Sequence, residues 1–160
     1  FADSGLSEIH FPKAGDILAI NDVFNTCANL VSVDLSKLNL NNANDWQEAF
    51  YNCSKLKTIY VSDDFVNSST PRRNTFYNCT SLIGGAGTKF DPTFIDSTGA
   101  RIDGGPNNPG YFTAISQKPI ETVQTNSETT GNEVRSVETP AKEPDELESD
   151  SKQNESESQQ

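Results

Sequence analysis

Three cysteines, Cys27, Cys53 and Cys79, stand 26 residues apart. A thiolate can attack as a nucleophile, pair in a disulfide or bind zinc, and each use demands particular neighbours. Zinc calls for a Cys-x-x-Cys pair or histidine partners, and this chain has no such pair and one histidine, His10. A disulfide needs Cα atoms about 4.4–6.8 Å apart, a spacing adjacent repeats could supply, but an odd count leaves one thiol over. Equal spacing favours a plainer use, an inward-facing ladder of small buried residues. His10 has no nucleophile at matched spacing. The carboxylates at Asp63, Asp64, Asp91, Asp96 and Asp103 show neither the paired cleft of a glycosidase nor a D-x-D-x-D-G calcium loop, and are read as surface charge. Asn52, Asn67, Asn78 and Asn154 open glycosylation sequons. Two of these lie inside the repeat motif, where packing or turn formation explains the asparagine.

The elements that position the thiols follow from their surroundings. Phe24-Asn-Thr-Cys27-Ala-Asn-Leu30 recurs as Phe50-Tyr-Asn-Cys53-Ser-Lys-Leu56 and as Phe76-Tyr-Asn-Cys79-Thr-Ser-Leu82. Phe24, Phe50 and Phe76, with the three cysteines and Leu30, Leu56 and Leu82, therefore form one structural ladder in register. Each Leu opens a second pattern. Leu30-x-x-Val33-x-Leu35 matches Leu56-x-x-Ile59-x-Val61 and an upstream Leu6-x-x-Ile9-x-Phe11, with Phe1 and Ser4 near the places of Phe and Cys. After Leu82 the pattern decays to Gly85 and Gly87. The L-x-x-L-x-L spacing is that of a leucine-rich repeat, whose short strand turns alternate residues inward. The outward residues then fall in two rows, His10, Asp34, Tyr60 and Glu8, Ser32, Thr58, on the exposed face of a parallel sheet. That face is the usual binding surface of such arrays.

The half of each unit before its Phe predicts a short helix. Asn44-Asp-Trp-Gln-Glu-Ala-Phe50 offers a capping box, Asn44 with Gln47 or Asp45 with Glu48. Pro71 sits at a first helical position, and Ile20/Val23/Phe24 and Trp46/Ala49/Phe50 place apolar residues on one face. Arg72 stands where Ile20 and Trp46 stand. One unit cannot bury its own apolar face, so stacking must supply the core. The amino end starts mid-repeat at Phe1, which predicts further repeats before it in a longer protein. Asp103-Gly-Gly-Pro-Asn-Asn-Pro-Gly-Tyr-Phe112 predicts a terminal cap over 102–115, with Tyr111 and Phe112 covering the last turn.

Composition divides the chain at the same place. Of the net charge of −11, −4 falls on residues 1–115 and −7 on residues 116–160. The second part, rich in Glu, Ser, Thr and Gln, buries too little apolar surface to offset chain entropy, and reads as a disordered acidic linker. The acidic balance argues against nucleic acid or an anionic membrane as partner. No stretch approaches the ~20 apolar residues of a membrane span, and no basic region leads into an apolar one as in a signal peptide.

The F-Y-N-C-x-x-L units, closed by GGPNNPGYFTA, resemble the BspA-like leucine-rich-repeat surface proteins of bacteria, a family with members in some protists. The resemblance covers residues 1–115. It implies a secreted or surface-displayed solenoid, with short parallel strands on one face and short helices or turns on the other, used in adhesion and in binding a host or neighbouring-cell protein or glycan. The expectation is therefore a non-enzymatic, extracellular repeat segment with no catalytic residue, metal or cofactor assigned, and with a binding face at Glu8, His10, Ser32, Asp34, Thr58 and Tyr60. A structural spacer is the alternative, and a glycan- or peptide-acting enzyme ranks third.

Overall fold

The computed structural model describes residues 1–13 and 15–120. Three short strands form a parallel sheet in the order β1 (Ser32–Asp34), β2 (Thr58–Val61), β3 (Phe112–Ala114). Val33 pairs with Ile59 and Asp34 with Tyr60, and Ile59 in turn pairs with Phe112. Single parallel bridges extend the sheet on both sides, His10 to Asp34 and Ile102 to Phe112. The alternation expected from L-x-x-L-x-L holds. Val33, Ile59 and Val61 are buried, while Ser32, Asp34, Thr58 and Tyr60 are half-buried on the other side.

Behind the sheet the ladder residues make one continuous core. The rings of Phe24, Phe50 and Phe76 stack nearly parallel at 5.3 and 5.8 Å, with interplanar angles of 4° and 5°. Phe1 continues the stack at 5.8 Å from Phe24, and Ser4 Oγ lies 3.3 Å from Cys27 Sγ. The upstream unit thus keeps the repeat with a Ser in the Cys place. Each thiol donates to the Phe carbonyl of the preceding unit: Cys27 to Phe1 at 3.1 Å, Cys53 to Phe24 and Cys79 to Phe50 at 2.9 Å. A cysteine at this place therefore supplies both a small apolar volume and a donor that links neighbouring units.

The expected helices are absent: the segments before each Phe are runs of turns, and no α-helix occurs among the described residues. The reason is an alternating backbone. Asp22, Thr26, Glu48, Asn52, Asn74 and Asn78 all adopt left-handed φ near +55 to +59°, which breaks an α-helix at every turn. The amides of Asp22, Thr26 and Asn52 point to the next unit, Asp22 N to Gln47 O, Thr26 N to Tyr51 O and Asn52 N to Tyr77 O, while intervening amides close three-residue turns such as Asn25 N to Asp22 O and Tyr51 N to Glu48 O. The supposed capping box is instead a local turn in which Asp45 Oδ1 accepts from Gln47 N at 3.0 Å. Asn52 and Asn78 serve the same backbone, and Asn78 Nδ2 donates to Asn52 Oδ1 at 3.1 Å.

The carboxyl end fills a gap that the glycine-rich decay opens. After Leu82 the chain does not make a strand beside β2. It folds into a tight hairpin, with an antiparallel bridge from Ile83 to Lys89 and Gly84 N donating to Thr88 O at 2.8 Å. The chain runs out to Ile102 and returns, and β3 inserts between β2 and Ile102. Glycine is required for this crossing. A Cβ on Gly84 would collide with the Gly110 carbonyl and the Asp103 carboxylate. Tyr111 and Phe112, expected as a lid on the last turn, are fully buried. Tyr111 packs edge-on against Phe76 at 5.0 Å, and Phe112 lies 5.6 Å from Trp46 and 5.4 Å from Phe65. Arg72, in the place of Trp46, leaves the core and reaches Asp45 Oδ1 at 3.7 Å.

Two further expectations change. Asp103 is not surface charge: it is 4% exposed and binds the hairpin to the terminal loop. Its Oδ2 accepts from Ala86 N and Thr88 N at 2.9 Å, and its Oδ1 from Thr88 Oγ1 at 2.7 Å and Gly105 N at 2.9 Å. The linker boundary drawn at residue 116 also shifts. Ile115–Gln117 form a 3₁₀ turn, Ser116 N donates to Asp63 Oδ1 at 3.0 Å, and Lys118 returns to the sheet. The rest of the expected linker, with the Asn154 sequon, lies outside the described residues.

Candidate binding face

Because strand side chains alternate, the outward residues of neighbouring units line up across the sheet. The registers Ser32 to Thr58, Asp34 to Tyr60 and His10 to Asp34 place them as the sequence spacing required. Above them runs a groove of about 620 Å³, lined by Glu8, Ile9, His10, Ser32, Asp34, Tyr60, Lys118 and Pro119. Five of the six residues expected on this face are in that lining. Thr58, in register with Ser32, is half-buried beside it.

The two ends of the groove differ in character. At one end Glu8 and His10 are largely solvent-facing, with Glu8 Oε1 3.2 Å from His10 Nε2. At the other end Asp34 is held on both oxygens. Its Oδ1 accepts from Ser36 Oγ at 2.6 Å and Ser36 N at 3.1 Å, and its Oδ2 accepts from Lys118 Nζ at 2.8 Å. The same ammonium stands 5.1 Å from the centre of the Tyr60 ring, within the range of cation–π attraction. Burial alone would raise the Asp34 pKa, but the hydrogen bonds from Lys118 and Ser36 outweigh it and hold the carboxyl below its ordinary value.

Besides Ile9, which the pattern turned inward, Lys118 and Pro119 are the members of the face that repeat spacing missed. They lie past the last unit, 84 residues from Asp34 for Lys118, and no periodic pattern links them to it. The only sequence signal was a lysine beside a proline at the mouth of an otherwise acidic segment.

The thiols are shut away from this face. All three are free and buried. Burial, reinforced by the neighbouring Cys27, pushes Cys53 up to about 12, and burial with Cys53 nearby raises Cys79 further. At neutral pH Cys53 and Cys79 stay protonated, which suits donors to carbonyls and not nucleophiles or metal ligands. Among the described residues no group of three or more His, Cys, Asp or Glu could hold a metal ion. No helix among them is long and apolar enough to cross a membrane.

A parallel sheet built from L-x-x-L-x-L strands, backed by stacked turns and a continuous Phe/Cys/Leu core, defines a protein of the leucine-rich-repeat class. The family model described as BspA type leucine rich repeat region (6 copies) matches residues 1–84, just over half of the chain, and the chain belongs to that family, which is associated with surface proteins and adhesion. The match ends at Gly84, where the chain leaves the repeat for the hairpin. No curated protein and no solved structure matches the chain.

Proposed function

We propose that this chain is a non-enzymatic, surface-displayed segment of an adhesion protein. Its units continue the repeat as a solenoid, and its sheet face binds a protein or glycan on a host or neighbouring cell. The observation that carries this reading is the groove of about 620 Å³ laid across three neighbouring units, with polar side chains from each and Tyr60 as its aromatic member. A groove that crosses units collects modest contacts from each of them, and affinity then grows with the number of copies displayed.

The test is attachment of beads coated with the chain to cell layers and to arrays of glycans and matrix proteins. Tyr60→Ala and a Glu8→Ala/Ser32→Ala double variant are each expected to weaken attachment while leaving the thermal midpoint within about 3 °C of the parent, since surface changes of this kind cost little stability. Unchanged attachment with both variants would refute the assignment of this face. A structural spacer would show that pattern, with reach shortened by repeat deletion and adhesion kept. An enzyme would show turnover of the array ligands.

A further inference from the structure

The groove already holds one ligand-like group, and it comes from the chain itself. We propose that the Asp34–Tyr60 end of the groove is a receptor for an aliphatic ammonium, occupied at rest by Lys118, and that an exposed lysine of a partner protein binds there by displacing it. This deepens the reading of the sheet face as a binding surface and rests on it.

Three observations point the same way. First, among its contacts the ammonium meets a carboxylate oxygen at 2.8 Å and a ring face at 5.1 Å. Those are the two contacts by which proteins generally bind such a group. Second, the receptor half belongs to the repeats and is organised independently of the lysine. Ser36 holds the Asp34 Oδ1 through both its amide and its hydroxyl, so Oδ2 stays aimed into the groove. Third, the lysine comes from outside the repeats. It follows the 3₁₀ turn Ile115–Gln117, its side chain is 36% exposed, and it can swing away without unpairing any strand.

The charge that remains when Lys118 leaves favours a cationic replacement. Asp34, still held by Ser36, presents its carboxylate at one end of the groove, and Glu8, with its side chain 63% exposed, lies at the other. A tethered group acts at an effective concentration of about millimolar or more. A lone amine of millimolar affinity therefore competes poorly with Lys118. A protein segment that adds contacts along Glu8, His10 and Ser32 competes well. The resident lysine thus filters out free amines and admits a lysine presented on a matching surface.

The test uses the whole chain and Nα-acetyl-lysine N-methylamide as probe, with the norleucine analogue as its uncharged control. Binding is followed by amide and ring shifts of Asp34, Thr58 and Tyr60 in nuclear magnetic resonance spectra. Lys118→Ala and Lys118→Gln are both expected to bind the lysine probe at least about twofold tighter than the parent and to ignore the norleucine probe. Adding Asp34→Asn or Tyr60→Ala to Lys118→Ala is expected to remove that binding. Equal affinity in the parent and both Lys118 variants, or equal binding of the two probes, overturns the proposal. The attachment assay separates it from the reading beneath it. If Tyr60→Ala abolishes attachment and the Lys118 variants bind no probe, the face stands and the ammonium receptor falls. If the probe binds as expected and Tyr60→Ala leaves attachment intact, the receptor stands and the face fails as the adhesion surface.

Discussion

Asp103→Asn is a sharp test of how the array is closed. The carboxylate accepts from Ala86 N and Thr88 N on one oxygen and from Thr88 Oγ1, Gly105 N and Gly110 N on the other, at 2.7 to 3.4 Å. An asparagine has the same shape but one accepting oxygen. Its NH₂ must face one of these donor sets, leaving at least two backbone N–H groups unpaired in a site 4% exposed. Hydrogen bonds to a charged group are worth about 1.5–3 kcal/mol each, and they are not fully additive. The expected loss is about 3–4 kcal/mol, a large part of the ~5–15 kcal/mol that holds a domain together. Urea unfolding would measure it, and amide exchange should quicken at Ala86, Thr88 and Gly105 first.

The pH dependence gives a second readout of the same group. Burial alone would raise the Asp103 pKa, but the hydrogen bonds from Thr88, Gly105 and Ala86 outweigh it and hold the value below the ordinary 3.8. The folded chain therefore binds this proton less readily than the unfolded one. The stability contributed is present above the ordinary aspartate value and is lost as pH falls from there through the lower folded value. The parent should lose more stability than Asp103→Asn in that acid window. A loss below about 1 kcal/mol in the variant, compared with the ~3–4 kcal/mol expected for the unpaired donors, or parallel acid profiles, would refute the reasoning.

Other outcomes follow from the core. A thiol reagent should label none of the three buried cysteines in the native chain at neutral pH and all three after denaturation; fast native labelling would contradict the ladder. Gly84→Ala should cost about 2–4 kcal/mol in urea unfolding, since its Cβ meets the fixed Gly110 carbonyl, while Gly5→Ala, with nothing within 4 Å, should stay within about 0.5 kcal/mol. Phe50→Ala removes the middle ring of the stack and should cost about 3–5 kcal/mol by the same measurement, well above Phe1→Ala, whose ring is 54% exposed.

Periodicity carried far in this chain because every repeated residue answers to its copy one unit away. Phe24, Phe50 and Phe76 stack on one another, and Cys53 bonds to the unit before it. A 26-residue spacing therefore reports real contacts. Local patterns did less well. Asn44 to Phe50 has the composition of a capped helix start, yet Asn44 N reaches Leu18 O in the unit before, Phe50 N reaches Thr75 O in the unit after, and Ala49 N closes a turn on Trp46 O, so these amides do not bond to residues four positions back. That choice is tertiary, and capping rules do not contain it. The pairing of β3 with Ile59 and the return of Lys118 to Asp34 span 53 and 84 residues and have no copy among the described residues. They were illegible for that reason. The face at Glu8, His10, Ser32, Asp34, Thr58 and Tyr60 followed from alternation, whereas its resident cation did not.

The position of β3 has a mechanical consequence. Tension applied to the chain beyond Ile120 enters through the Lys118–Asp34 contact, then the Ser116–Asp63 hydrogen bond, and then β3. β3 lies parallel to β2 with Ile59, Tyr60 and Val61 facing Phe112, Thr113 and Ala114. A pull along the strand loads these slanted hydrogen bonds together in shear, and does not peel them one at a time. The salt bridge yields first as a weak link, and the sheet behind it resists as a clamp whose lifetime under load is set by its unfolding rate.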